Sequence, residues 1–217
     1  RYYIGGCGTQ TAGLAFGGVT PSHTVDIDMI TIPTLGNATK FGEIVHASQE
    51  RGMGCSNSVR GLVAGGQTPT TTSFIETVII ATQSDTVRFG DLQASNVNAG
   101  TNAATNSPTR AVFSGGGGPG PSYTDSNVID FITMSSGGEA SDFGDQSVTR
   151  RSIIHMSSSI RGVFAGGYAS PHAITASVNT MDFITIATTG NATDFGDMLA
   201  ASRTGGGASD SHGGLGD

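Results

Sequence analysis

Hydrophobic residues come in short runs along the chain, and nowhere recur at the three-to-four residue spacing of an amphipathic helix. Runs such as Gly162-Val-Phe-Ala165 are apolar and end in Gly-Gly. Others, such as Met181-Asp-Phe-Ile-Thr-Ile186, are β-branched and aromatic and run into a Gly- and Asn-bearing turn, Thr188-Thr-Gly-Asn191. This pattern predicts short strands joined by tight turns, with Gly190 and Asn191 supplying the positive φ that a hairpin needs. Four strands are predicted per segment: a, small and Gly-rich (Gly52-Met-Gly-Cys-Ser56); b, the run before Gly-Gly; c, the Met181–Ile186 run; and d, through Phe195-Gly-Asp-Met198.

The pattern repeats. Gly-Gly recurs at Gly17-Gly18, Gly65-Gly66, Gly115-Gly116 and Gly166-Gly167, and Phe-Gly-acid at Phe41-Gly42-Glu43, Phe89-Gly90-Asp91, Phe143-Gly144-Asp145 and Phe195-Gly196-Asp197. The segments ending in these Phe residues align without a gap from Asp28, Glu76, Asp130 and Asp182 onward. Repeats therefore span approximately 1–48, 49–96, 97–150 and 151–202, with a partial repeat at 203–217 that restarts the motif and stops before its Gly-Gly. Four short strands in a unit of about 50 residues describe one blade of a β-propeller, because a lone four-stranded sheet must stack on neighbours to cover its faces. The expected fold is all-β: a propeller of four complete repeats and the start of a fifth, forming a segment of a larger ring. Phe41, Phe89, Phe143 and Phe195 are expected to be buried between blades. Arg60, Arg110 and Arg161, which precede strand b, are expected to be structural and to bond the Phe-Gly-acid carboxylates or turn carbonyls.

Strand b ending in Gly-Gly, a variable loop, an acid-hydrophobic strand c and an aromatic opening strand d resemble the kelch repeat over essentially the whole chain. The sequence departs from that pattern where kelch blades carry Trp in strand d and Tyr in strand c: here strand d has Phe, and strand c has Met29, Thr77, Phe131 or Phe183. The wording of residues 182–197, DFITIATTGNATDFGD, is similar to kelch-like repeats in virion and tail-fibre proteins of marine bacteriophages, notably cyanophages. The resemblance implies a virion location facing outward, with other virion subunits as partners and a homo-oligomer, a trimer if the protein is a tail fibre.

Composition narrows the partners. The net charge is −7 and Lys40 is the single lysine, which argues against nucleic acid, whose phosphates call for clustered Lys and Arg. No apolar run approaches the roughly 20 residues a membrane-spanning helix needs, so no membrane insertion is expected. Cys7 and Cys55 hold equivalent places in the first two copies, as small buried packing residues or as a disulfide between neighbouring copies.

Chemistry is sparse. His23, His46, His155, His172 and His212 occupy unrelated repeat positions without metal-ligand spacing, so no metal and no cofactor are expected. The recurring acids could suggest a glycosidase pair, but a catalytic pair is needed once, whereas a residue present in every blade maintains the blade. Ser114-Gly-Gly-Gly-Gly-Pro-Gly-Pro121 lacks the Lys-Ser/Thr of a phosphate loop. No enzyme activity is expected.

Function is expected where the copies differ. The b–c loops diverge completely, and in antiparallel blades they and the d–a connections emerge on one face. That face would combine His23, Tyr123, Asp125, Arg151, Tyr168 and His172, amphipathic groups suited to a host-surface polysaccharide or protein. Adhesion through these loops is the leading expectation. A structural or decoration role, or membership in a carbohydrate-active enzyme, is the alternative.

Overall fold

β-branched and aromatic side chains fit a pleated, half-buried surface better than a helix, and the chain follows that preference. In the computed structural model of the protein, residues 1–46, 52–67, 71–93, 103–116, 125–169 and 176–210 are described, and every element among them is a strand. The first sheet holds β1 (Gly5–Gly8), β2 (Ala12–Phe16), β3 (Asp26–Thr31) and β4 (Thr39–Glu43). The second holds β5 (Met53–Ser56), β6 (Arg60–Ala64), β7 (Phe74–Ile79) and β8 (Val87–Asp91). The third holds β9 (Ala103–Asn106), β10 (Arg110–Ser114), β11 (Val128–Thr133) and β12 (Ser141–Asp145). After β13 (Arg150–Arg151), the fourth sheet holds β14 (Ile154–Ser157), β15 (Arg161–Ala165), β18 (Thr180–Thr185) and β19 (Thr193–Asp197), with β16 (Tyr168–Ala169) and β17 (Ala176–Ser177) inserted. All four sheets are antiparallel meanders with neighbours in chain order.

Both punctuation marks have a backbone cause. The two glycines of each Gly-Gly sit at positive φ, between 59° and 110° in the first two copies, a region closed to most side chains. At the second mark, Gly42 pairs with Ile27 and Lys40 with Asp28, which leaves Phe41 as an extra residue in a β-bulge. The same shift leaves Phe89, Phe143 and Phe195 unpaired. A bulge bends its strand and re-aims a side chain, here a phenyl ring. Asn191, expected at positive φ, does not adopt it; its side-chain oxygen instead accepts the Asp145 N–H of the preceding sheet at 3.0 Å.

The sheets stack in chain order through three apolar seams. Leu14, Phe16, Ile27 and Phe41 of the first sheet pack on Val63, Val78 and Ile80 of the second. Leu62 and Ile75 pack on Phe113, Ile132 and Met134 of the third, and Val112, Ile129 and Phe143 on Phe164, Ile184 and Ile186 of the fourth. Neighbours in one strand, Leu62 and Val63, serve opposite seams, as strand alternation requires. The first strands also touch in series, β1 on β5, β5 on β9 and β9 on β14. Asn106 Nδ2 donates to the Ser56 carbonyl at 2.7 Å, and Ser56 Oγ to the Gly8 carbonyl at 2.6 Å.

The expected burial of the four Phe rings holds for Phe41 and Phe143, is partial for Phe89, and fails for Phe195, over which no sheet lies among the described residues. The three arginines stack on rings: Arg60 on Phe89, Arg110 on Phe131 and Arg161 on Phe183, 4.3–4.9 Å from the centroids. Carboxylate pairing was expected instead, but Glu43 takes Lys40 and Asp91 takes Arg88, basic residues three positions earlier on the same strand. Only Arg110 reaches a turn carbonyl of the next sheet, that of Ile186, at 2.8 Å.

The strand-c acids do connect sheets. Glu76 accepts the His46 N–H, Asp130 the Gln93 N–H and Asp182 the Ser147 N–H, each donor lying just past the preceding sheet. Cys7 and Cys55 are free thiols. Burial pushes the Cys7 thiol up to about 12 and raises that of Cys55 as well.

Candidate functional site

The second glycine of each Gly-Gly closes the base of a loop. Its carbonyl accepts the N–H of Thr24 (to Gly18), Thr72 (to Gly66), Ser126 (to Gly116) or Val178 (to Gly167), at 2.7–3.3 Å. One clamp thus serves short loops and long ones alike, which lets loop sequence change without altering the sheet beneath.

Above this clamp a small ladder forms. In the fourth unit β16 pairs with β13 on one side and β17 on the other, so Arg151 lies opposite Tyr168. The d–a connection and the b–c loop therefore share one face, as expected. The first unit has the same ladder reduced to bridges, Tyr2 to Val19 and Val19 to His23. The residues after Tyr2, Arg151 and Arg203, namely Tyr3, Ser152 and Thr204, all lie at φ near +60° although none is glycine. Such a left-handed kink costs roughly 1–2 kcal/mol, and here it recurs at one repeat position on the loop face.

Three of the six residues expected on this face come together. Asp125, its side chain wholly buried, pairs with Arg151, and the Arg151 guanidinium lies 4.6 Å from the centroid of the Tyr168 ring. His23 belongs to the equivalent ladder of the first unit and not to this cluster. Tyr123 and His172 lie outside the described residues. A fourth member escaped the sequence reading: Arg203, whose guanidinium lies 4.7 Å from the same ring centroid. Arg203 follows Arg151 at the repeat spacing, the signal that could have found it. It is exposed, and among the described residues no carboxylate pairs with it.

The cluster offers an aromatic ring flanked by two guanidiniums, one neutralised by a buried carboxylate and one free. These groups suit stacking and hydrogen bonding to a polar, ring-bearing or anionic ligand. Separately, a cavity of about 480 Å³ runs along the first strands, lined by Cys7, Ser56, Asn106, His155 and Gly207. Burial lowers the His155 pKa from its ordinary value. Among the described residues no group of three or more His, Cys, Asp or Glu converges as a metal site would.

No known family and no curated protein matches this sequence. Among solved structures, that of YjhT superposes with a TM-score of 0.76 over 96% of this chain and 74% of that one, at 11% identity. The likeness is one of fold.

Proposed function

We propose that the protein is a kelch-like β-propeller segment of a phage virion or tail-fibre protein, non-enzymatic, that attaches to a host-surface glycan or protein through its b–c and d–a loop face. Support for the propeller comes from four meanders stacked in chain order with their first strands in series and a cavity along those strands. The phage setting rests on the wording of residues 182–197. The observation that carries the binding role is the loop-face cluster: a fixed backbone clamp under variable loops, with Asp125, Arg151, Tyr168 and Arg203 gathered on one side.

The test is attachment to host cells, or to their purified surface polysaccharide, by the parent protein and by a Tyr123→Ala/Tyr168→Ala variant. Binding should fall at least tenfold while unfolding shifts by no more than about 1 kcal/mol, the scale of an exposed cation–π contact. Unchanged attachment by the double variant, with loss on an Asp91→Asn change in the framework, would move the site off the loops.

A further inference from the structure

We infer that the outer face of the fourth sheet is the seat of a fifth unit of the same repeat, entered by residues 203–210 as its first strand. The inference rests on sheet stacking and is independent of any ligand.

The three junctions between sheets are built alike. At each, the turn before the fourth strand of one sheet lies across the Phe-Gly-acid of the sheet before it. The N–H groups of Thr86, Ala140 and Ala192 donate to the carbonyls of Glu43, Asp91 and Asp145 at 2.9, 2.8 and 2.8 Å. The approach is so close that a Cβ on Gly42, Gly90 or Gly144 would stand 2.1, 1.8 or 2.5 Å from the backbone of that turn. This is why the residue after each Phe is glycine.

The fourth sheet has the same parts with no turn upon them. Among the described residues nothing lies within 4 Å of a Cβ built on Gly196. Phe195 is 49% exposed, against 4% for Phe41 and 3% for Phe143. Arg161 is exposed, whereas its equivalent Arg110 reaches the Ile186 carbonyl of the following sheet.

One part of the seat is already taken. Ser157 N–H donates to the Ala208 carbonyl at 3.1 Å, and Asp210 N–H to the Ser157 carbonyl at 3.2 Å. A Cβ on Gly207 would stand 1.5 Å from the His155 carbonyl oxygen, as one on Gly54 would stand 2.3 Å from that of Gly6. Gly54 and Gly207 hold one repeat position, and Gly6 and His155 another, so 203–210 lies on β14 as β5 lies on β1. A second copy of the chain would need that place for its own β1. The occupant is therefore a unit continuous with 203–210, whose c–d turn covers Phe195 and Gly196.

The chain has no tryptophan, so Phe195→Trp gives a single reporter, with Phe41→Trp as the covered reference. In the 217-residue protein the indole at 195 should emit as an exposed group and be quenched freely by acrylamide. In a chain of residues 1–210 continued by residues 58–96, which supply strands b to d, and in the native polypeptide carried past Asp217, emission should shift to the blue and quenching fall to the Phe41→Trp level. An indole equally open in the native longer polypeptide overturns the inference, as does a reading frame that stops at Asp217. Protection that appears in the 217-residue protein with rising concentration assigns the face to a second copy and also overturns it. Attachment assays on Tyr168 variants are unaffected by any of these outcomes, so the two readings fail separately.

Discussion

The guanidinium of Arg150 and the carboxylate of Asp182 meet at 2.9 Å with both side chains fully buried. The remaining Arg150 donors go to the carbonyls of Gly166, Thr180 and Phe164 and to Gln146, so one side chain joins the d–a connection to the second and third strands of the fourth sheet. Arg1 repeats part of this in the first unit, pairing with Asp28 and donating to the Gly17 carbonyl. Burial lowers the Arg150 pKa and the Asp182 charge opposes that shift.

Removing one partner of this pair leaves a buried charge without its counterion, a loss of about 3–5 kcal/mol. Arg150→Met and Asp182→Asn should each fall in that range by urea unfolding. Asp91→Asn, which breaks the half-exposed pair with Arg88, should cost no more than about 1 kcal/mol. Equal losses at the two sites would show that Arg150 is not the tie described.

The bulge rings should separate by environment. Phe41→Ala and Phe143→Ala empty a packed seam and should cost about 3–5 kcal/mol. Phe195→Ala, at a ring that is half exposed, should cost under about 1 kcal/mol in the same 217-residue protein. Denaturant midpoints at constant slope would read the difference.

Acid should act through His155. Burial lowers its folded-state pKa, so below the ordinary value of 6.5 the unfolded chain binds a proton that the folded chain refuses. Stability should therefore fall as pH drops through 6.5 and level off below the depressed folded value. His155→Gln should remove that part of the slope, and urea titrations at pH 5 and 8 would show it.

Alkali should act through the thiols. The folded pKa of Cys7 stands at about 12 and that of Cys55 is also raised, while an unfolded thiol ionises near 9.0. Stability should be full below pH 9 and decline as pH rises from there toward 12. A thiol-labelling reagent at pH 8 should react slowly with the native protein and at once in denaturant. Rapid labelling of the native protein would place the thiols outside the seams.

The sequence by itself determined the unit and its punctuation. Gly-Gly and Phe-Gly are legible because each marks a backbone need that recurs: positive φ at the first, a close approach at the second. The b–c loops and d–a connections were expected on one face because antiparallel strand order alone fixes which connections share an end. What a residue touches across a seam is another matter, since it depends on which sheet lies opposite. Arg60, Arg110 and Arg161 stack on rings and leave the acids, because the acids find basic partners three residues away. Phe195 carries the same local signal as Phe41 and differs only in lacking a neighbour. Arg203 joins Tyr168 only because 203–210 lies down on β14. Local chemistry sets backbone conformation within a unit, but burial and pairing are properties of two units together, and only the stacked structure decides them.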